Sequence, residues 1–154
     1  MGLDMYLNVK RYISAYDKDT KGLKVSGIKG VLPPNKGCFN EMGRVCNLTV
    51  NGIYWRKANA IHKWFVDNIQ NGEDDCKPYP VDKNDLVKLK ELCQKVMANK
   101  EKASELFPAH PGFFFGTYEY DQWYFDSISR TIHEINLLLA TFDDGWDFYY
   151  QSSW

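Results

Sequence analysis

The stretch Leu3-Asp4-Met5-Tyr6-Leu7-Asn8-Val9-Lys10-Arg11-Tyr12-Ile13 decides the fold class. Leu3, Met5, Leu7, Val9 and Arg11 fall on one side of an extended chain, and Asp4, Tyr6, Asn8, Lys10 and Tyr12 on the other. Successive side chains of a strand leave on opposite faces, so this alternation among β-formers predicts a strand with one buried face. The last segment repeats the pattern: Trp146, Phe148, Tyr150, Ser152 and Trp154 oppose Asp147, Tyr149, Gln151 and Ser153. It predicts a second strand, and its aromatic composition predicts a docked end.

Between these strands the period changes. Val45 to Val50 reads as a further strand closed by the turn pair Asn51-Gly52. From about Trp55 to Ile69, at about 100° per residue, Ala58, Ile61, His62, Phe65, Val66 and Ile69 gather with Trp55 on one face, predicting a core-facing helix. Asn71-Gly72 ends it as a left-handed cap, and Glu73 to Pro80 reads as loop. Asp82, with Asp85 three residues on, is placed as the N-cap of a helix running to about Met97. Its inner stripe is Leu86, Leu89, Cys93, Val96 and Met97, and a short turn follows at Ala103 to Phe107. Gly112-Phe113-Phe114-Phe115-Gly116 is either a short buried strand or a close-packed loop. A third helix is expected from about Tyr120 to Thr141, with Tyr124, Phe125, Ile128, Ile132, Ile135 and Leu139 facing inward. Residues 17–44 read as a Gly/Pro-rich loop or insertion, with a short strand near 24–26 or 28–32. The expected architecture is a single α+β domain over 1–154: a small, mostly antiparallel sheet with about three helices packed on it.

A chain of 154 residues with 44% hydrophobic and 25% charged residues has the composition of a folded globule with one core. Its 19 Lys+Arg against 20 Asp+Glu leave a net charge of −1, which argues against bulk nucleic-acid binding. No apolar run approaches the roughly 18 residues of a membrane span, so no membrane partner is expected. The start Met1-Gly2-Leu3-Asp4 lacks the basic segment of a signal peptide, and Tyr6 stands where a myristoylation motif needs Ser or Thr. A cytoplasmic setting is the expectation. Cys38, Cys46, Cys76 and Cys93 form no C-x-x-C pair and read as free thiols, with no metal site. Phosphate-loop, zincin and nucleophile-elbow motifs are missing, so neither a cofactor nor a catalytic residue is assigned.

The densest polar constellation is Tyr54-Trp55-Arg56-Lys57-Ala58-Asn59-Ala60-Ile61-His62. On a helix Arg56, Asn59 and Lys63 would share a stripe. Arg56 and Lys57 then suit an anion at a helix N-terminus, with Asn59 reading an amide or base edge and His62 making a hydrogen bond. The competing reading has solvated cations and a core histidine satisfied by its neighbours. Asn59 needs a reason to sit inside a helix. Glu119 and Asp121, set among Tyr118, Tyr120, Trp123 and Tyr124, are either a carboxylate pair for acid–base work or favourable charges at a helix start. Trp64 lies nearly opposite the core stripe of its helix, which assigns it to a contact with another element or subunit and predicts a homo-oligomer.

These segments together resemble a widespread family of small phage and prophage proteins. The shared features are Met1-Gly2-Leu3-Asp4-Met5-Tyr6-Leu7, Tyr54-Trp55-Arg56-Lys57-Ala58-Asn59 with Ile61-His62 and Trp64-Phe65, Gly112 to Gly116 with Glu119-Tyr120-Asp121, and Tyr149-Tyr150-Gln151-Ser152-Ser153-Trp154. The kinase label that members carry finds no phosphate loop here. The resemblance implies a protein acting in a bacterial cytoplasm. By analogy with unrelated folds, small phage proteins of this kind often counter host defence, some of them by sequestering nucleotide immune signals. The expected ligand is therefore a small nucleotide-like molecule, with Tyr6, Tyr54, Trp123 and Tyr150 stacking a base and Arg56, Lys57 and Asn59 holding phosphate or ribose. The alternatives are a nucleotide-hydrolysing enzyme using Glu119, Asp121 or His62, and an inhibitor that docks a host protein through its aromatic surface.

Overall fold

The structure is a computed structural model that describes residues 2–14, 16, 46–110, 112 and 119–154. The two alternating segments are β1 (Asp4–Tyr12) and β4 (Asp147–Ser153), paired antiparallel with Asp4 opposite Ser153 and Lys10 opposite Asp147. Met5, Leu7 and Val9 are fully buried and lie opposite Ser152, Tyr150 and Phe148, all buried on the same face. Each large apolar side chain in that row contributes about 1.5–3 kcal/mol through burial. β2 (Asn47–Arg56) flanks β1, and β3 (Tyr79–Val81) flanks β4, so the antiparallel order is β2-β1-β4-β3.

β2 corrects the expected turn at Asn51-Gly52. The strand runs straight through it, and the extra residue is absorbed as a register shift opposite Leu7 and Asn8. Gly52 serves close approach, not reversal: a Cβ there would sit 2.7 Å from the Leu7 carbonyl and 2.8 Å from Leu138 Cδ1. Beyond the shift Ile53 and Trp55 resume the inner face, so Trp55 belongs to a strand and does not open a helix. β3 was expected as loop. It holds only three residues, one of them Pro80, and pairing with β4 alone makes it a strand; an edge tolerates a proline without its N–H.

Helix α1 (Asn59–Asn68) starts four residues later than its wheel suggests and ends before Asn71 and Gly72, both left-handed at φ 54° and 83°. α2 (Lys83–Ala98) buries Leu86, Leu89, Cys93 and Val96 as expected. Asp82 does occupy its N-cap, but its side chain makes no capping bond. A 3₁₀ turn at Lys100–Lys102 leads into the short α3 (Ala103–Leu106). α4 (Gln122–Thr141) fully buries Ile128, Thr131, Ile135 and Leu138, a stripe rotated from the expected one; Tyr124, Phe125, Ile132 and Leu139 are half-buried at its margins. Thr131 is tolerated inside because it accepts from Trp55 Nε1 at 2.8 Å and donates to the Ser127 carbonyl at 2.7 Å.

The helices share the inner face of the sheet. α2 and α4 pack on each other, and α1 meets the sheet through Phe65, stacked on Tyr150 of β4 (centroids 3.9 Å apart) and tilted against Trp55 of β2. The protein is thus an α+β fold with a four-stranded antiparallel sheet and four helices among the described residues. Among those residues no helix is long and apolar enough to cross a membrane. The expected loop over 17–44, with Cys38, and residues 113–116 of the phenylalanine-rich segment lie outside the described residues. Among the described residues Cys76 and Cys93 are free thiols.

Candidate functional site

β2 ends at Arg56, and Lys57 turns the chain into α1 through left-handed backbone at φ 55°. That conformation costs a side-chain-bearing residue about 1–2 kcal/mol, yet lysine stands where glycine would be easiest. Ala58 then occupies the N-cap, and its methyl group cannot accept from the first-turn N–H groups. α4 begins in the opposite way: Asp121 is its N-cap, and Oδ1 accepts from the Tyr124 N–H at 3.0 Å. Between these two helix starts opens a cleft of about 340 Å³. That volume lies in the range of small-molecule sites.

The β2–α1 junction contributes Arg56, Lys57 and Asn59 to the lining, the approach to α4 contributes Glu119, Asp121 and Trp123, and Ile61, Tyr124 and Ile128 add apolar surface. Six of the residues expected to bind ligand therefore come together, although they derive from two segments some 60 residues apart in sequence. Arg56 and Lys57 are exposed and form no ion pair among the described residues. Trp123 is 81% exposed at the rim. The two cations and two carboxylates of the lining balance in charge; the cations adjoin the N-terminus of α1 and the carboxylates that of α4. Asn59 turns out to be the first residue of α1, so its poor interior propensity needs no functional excuse, and the expected Arg56–Asn59–Lys63 helix stripe does not exist because Arg56 is a strand residue. Ser127, Tyr124 and Ile128 also line the cleft and were missed. Their spacing of three and four from Trp123 and Tyr124 on one helix was the usable signal.

His62 and Tyr150 lie elsewhere. His62 is 1% exposed, with Nδ1 2.8 Å from the Tyr150 hydroxyl and Nε2 3.0 Å from Asp74 Oδ2. The carboxylate accepts from the Nε2–H, so Nδ1 accepts from the tyrosine hydroxyl, and the imidazole is neutral. Burial is the main force holding the His62 pKa below its ordinary value; the Asp74 hydrogen bond and charge oppose it, and His110 adds to it. Burial also pushes Tyr150 well above the usual phenol range. Asp74 Oδ1 further accepts from Trp154 Nε1 at 3.1 Å and Ser152 Oγ at 3.3 Å. The order carboxylate–imidazole–hydroxyl is that of a nucleophile relay. Here the hydroxyl belongs to a fully buried ring stacked on Phe65, so the network joins α1, the following loop and the chain end. Tyr150 accordingly has no face open to a base, which corrects its assignment as a stacking platform. The histidine satisfied by its neighbours is the reading the geometry matches. Asp74 was missed because nothing in a sequence marks a loop carboxylate as the partner of a residue 12 positions away.

Tyr6 and Tyr54 are a cross-strand pair on the outer face of the sheet, with centroids 5.4 Å apart, and the Tyr54 hydroxyl donates to Asp4 Oδ1. That bond raises the Tyr54 pKa. Both rings are part-exposed, but they do not line the cleft. Trp64 is half-buried and meets Phe65 edge-on at 5.2 Å, so less of it reaches solvent than the helix wheel suggests. Among the described residues no cluster of three or more His, Cys, Asp or Glu is placed to hold a metal ion. No protein-family model, curated protein or solved structure matches the chain.

Proposed function

We propose that this protein binds a small nucleotide-type ligand in the cleft between the starts of α1 and α4. The observation that carries the reading is the meeting of Arg56 and Lys57, both free of ion pairs among the described residues, with the first turn of α1, whose N-cap Ala58 makes no side-chain capping bond, and the exposed indole of Trp123. Phosphate suits the first group, because helix N–H donors and cations act together on an anion. A base suits the second, since stacking on an aromatic ring contributes about 1–3 kcal/mol. The resemblance to small phage proteins supplies the setting: in a bacterial cytoplasm, such a protein would hold a nucleotide immune signal without turning it over. Hydrolysis is the weaker reading, because Asp121 is engaged as a helix cap and His62 does not line the cleft. Self-association through the exposed part of Trp64 belongs to the same proposal, and sedimentation showing only monomer would remove it.

Isothermal titration with nucleoside phosphates, cyclic nucleotides and ADP-ribose derivatives tests the ligand. Binding that is lost in Arg56→Ala supports it. An absence of heat from every one of them would remove it.

A further inference from the structure

The two segments that line the cleft, the β2–α1 junction and the approach to α4, differ in hydrogen-bonding character. Arg56, Lys57 and the backbone N–H groups at the start of α1 are donors and the Asn59 amide carries one donor and one acceptor end, whereas the carboxylates of Glu119 and Asp121 offer only acceptors. A nucleotide whose phosphate occupies the donor segment brings its base to the acceptor segment. Stacking on Trp123 does not choose among bases, since every base has a π-face. The choice falls to the carboxylates.

The bases differ in what they present to such a group. Guanine sets N1–H beside its 2-amino group, two adjacent donors that one carboxylate accepts together. Adenine sets its amino group beside the N1 lone pair, and cytosine sets its amino group beside the N3 lone pair. Uracil and thymine flank a single N–H with carbonyl oxygens. Each of these three arrangements places a lone pair against carboxylate oxygens. The two carboxylates are also not equivalent. Asp121 Oδ1 is held by the Tyr124 N–H, while Glu119 is exposed and makes no hydrogen bond or ion pair among the described residues. Resting on the nucleotide reading above, we infer that the ligand is a guanine nucleotide and that Glu119 is the residue that selects it.

The test is titration of the full chain with GMP, IMP and AMP, alongside Glu119→Gln and Arg56→Ala. A bidentate base contact predicts GMP binding at least about tenfold tighter than AMP, with IMP, which lacks the 2-amino group, between them. Glu119 is at the surface, so its substitution leaves the fold intact; glutamine, with one donor and one acceptor end, brings GMP and AMP to within about twofold. Arg56→Ala weakens all three by a common factor, because it acts on the phosphate. If AMP binds as tightly as GMP and both depend on Arg56, the guanine assignment is overturned while nucleotide binding stands. A preference for GMP that survives in Glu119→Gln overturns the role of Glu119. Failure of all three to bind overturns the guanine assignment, and the nucleotide reading falls with it only when the cyclic nucleotides and ADP-ribose derivatives also give no heat.

Discussion

Replacing Asp74 by alanine is expected to destabilise the fold by about 2–4 kcal/mol near neutral pH, although this carboxylate lies in a loop. Asp74 is 24% exposed, yet it accepts hydrogen bonds from His62 at 3.0 Å, Trp154 at 3.1 Å and Ser152 at 3.3 Å. The three are not equal. Trp154 is 46% exposed, so water takes over its indole N–H at little cost. Ser152 is fully buried, but its hydroxyl rotates and the contact is long. His62 is 1% exposed and would keep a buried N–H with its acceptor gone. A bond to a charged group contributes about 1.5–3 kcal/mol, and that loss dominates the total. The pH dependence follows from His62. Burial holds its folded-state pKa below the ordinary 6.5, so on acidification the unfolded chain takes up this proton first. The contribution is therefore complete above the ordinary histidine pKa and is lost as pH falls below it, at up to about 1.4 kcal/mol per pH unit, until the folded-state pKa is reached. Removing Asp74 takes away the upward pull on His62 and carries the loss to lower pH. Urea unfolding followed by tryptophan fluorescence, between about pH 8 and pH 5, reads both effects; the gap between variant and wild type should hold or widen on the acid side. A loss below about 0.5 kcal/mol, or a gap that narrows over that range, would refute the reasoning.

Lys57→Gly relieves the left-handed backbone at φ 55° and should raise stability by about 0.5–1 kcal/mol, while removal of the charge weakens phosphate-dependent binding in the cleft. Thermal melting and titration together check it, and tighter binding would count against a ligand role for the side chain. Gly52→Ala forces a methyl group onto the Leu7 carbonyl and Leu138, with an expected cost of about 1–3 kcal/mol; an unchanged melting temperature would mean that β2 shifts freely. Burial pushes the Cys93 thiol up to about 12 and leaves it inaccessible, so iodoacetamide at neutral pH should spare it until denaturant is added. Peptide mapping by mass spectrometry reads this, and equal labelling with and without denaturant would contradict the packing.

Legibility of the fold varied with the range over which each feature is determined. β1, β4, α2 and most of α4 follow from local period, since each has one face that must leave water. Trp55 was misread because both a helix wheel and a strand alternation put it inward; its pairing opposite Met5 decides between them. Gly52 reads locally as a turn residue, and only the approach of Leu138 from α4 shows it as a close-packing residue within a strand. Thr131 looks misplaced on a buried stripe until Trp55, 76 positions away, supplies its donor.

The candidate site shows the same division. Residue types and their local spacing were enough to single out Arg56, Lys57, Asn59, Glu119, Asp121 and Trp123, because cations beside a helix start and carboxylates among aromatics carry their chemistry with them. Their convergence on one cleft required the packing of α4 beside β2, marked by Arg130 Nη2 donating to the Tyr54 carbonyl at 2.7 Å. The same packing separated residues that sequence alone grouped with them. Tyr6 and Tyr54 went to the outer face of the sheet, and His62 and Tyr150 into a buried network with Asp74. Periodicity determines which face of an element avoids water, and so the sequence by itself determined β1, β4 and α2 with their buried faces and the presence of α1 and α4. Which faces then meet depends on contacts between distant segments, and only the tertiary structure decided that.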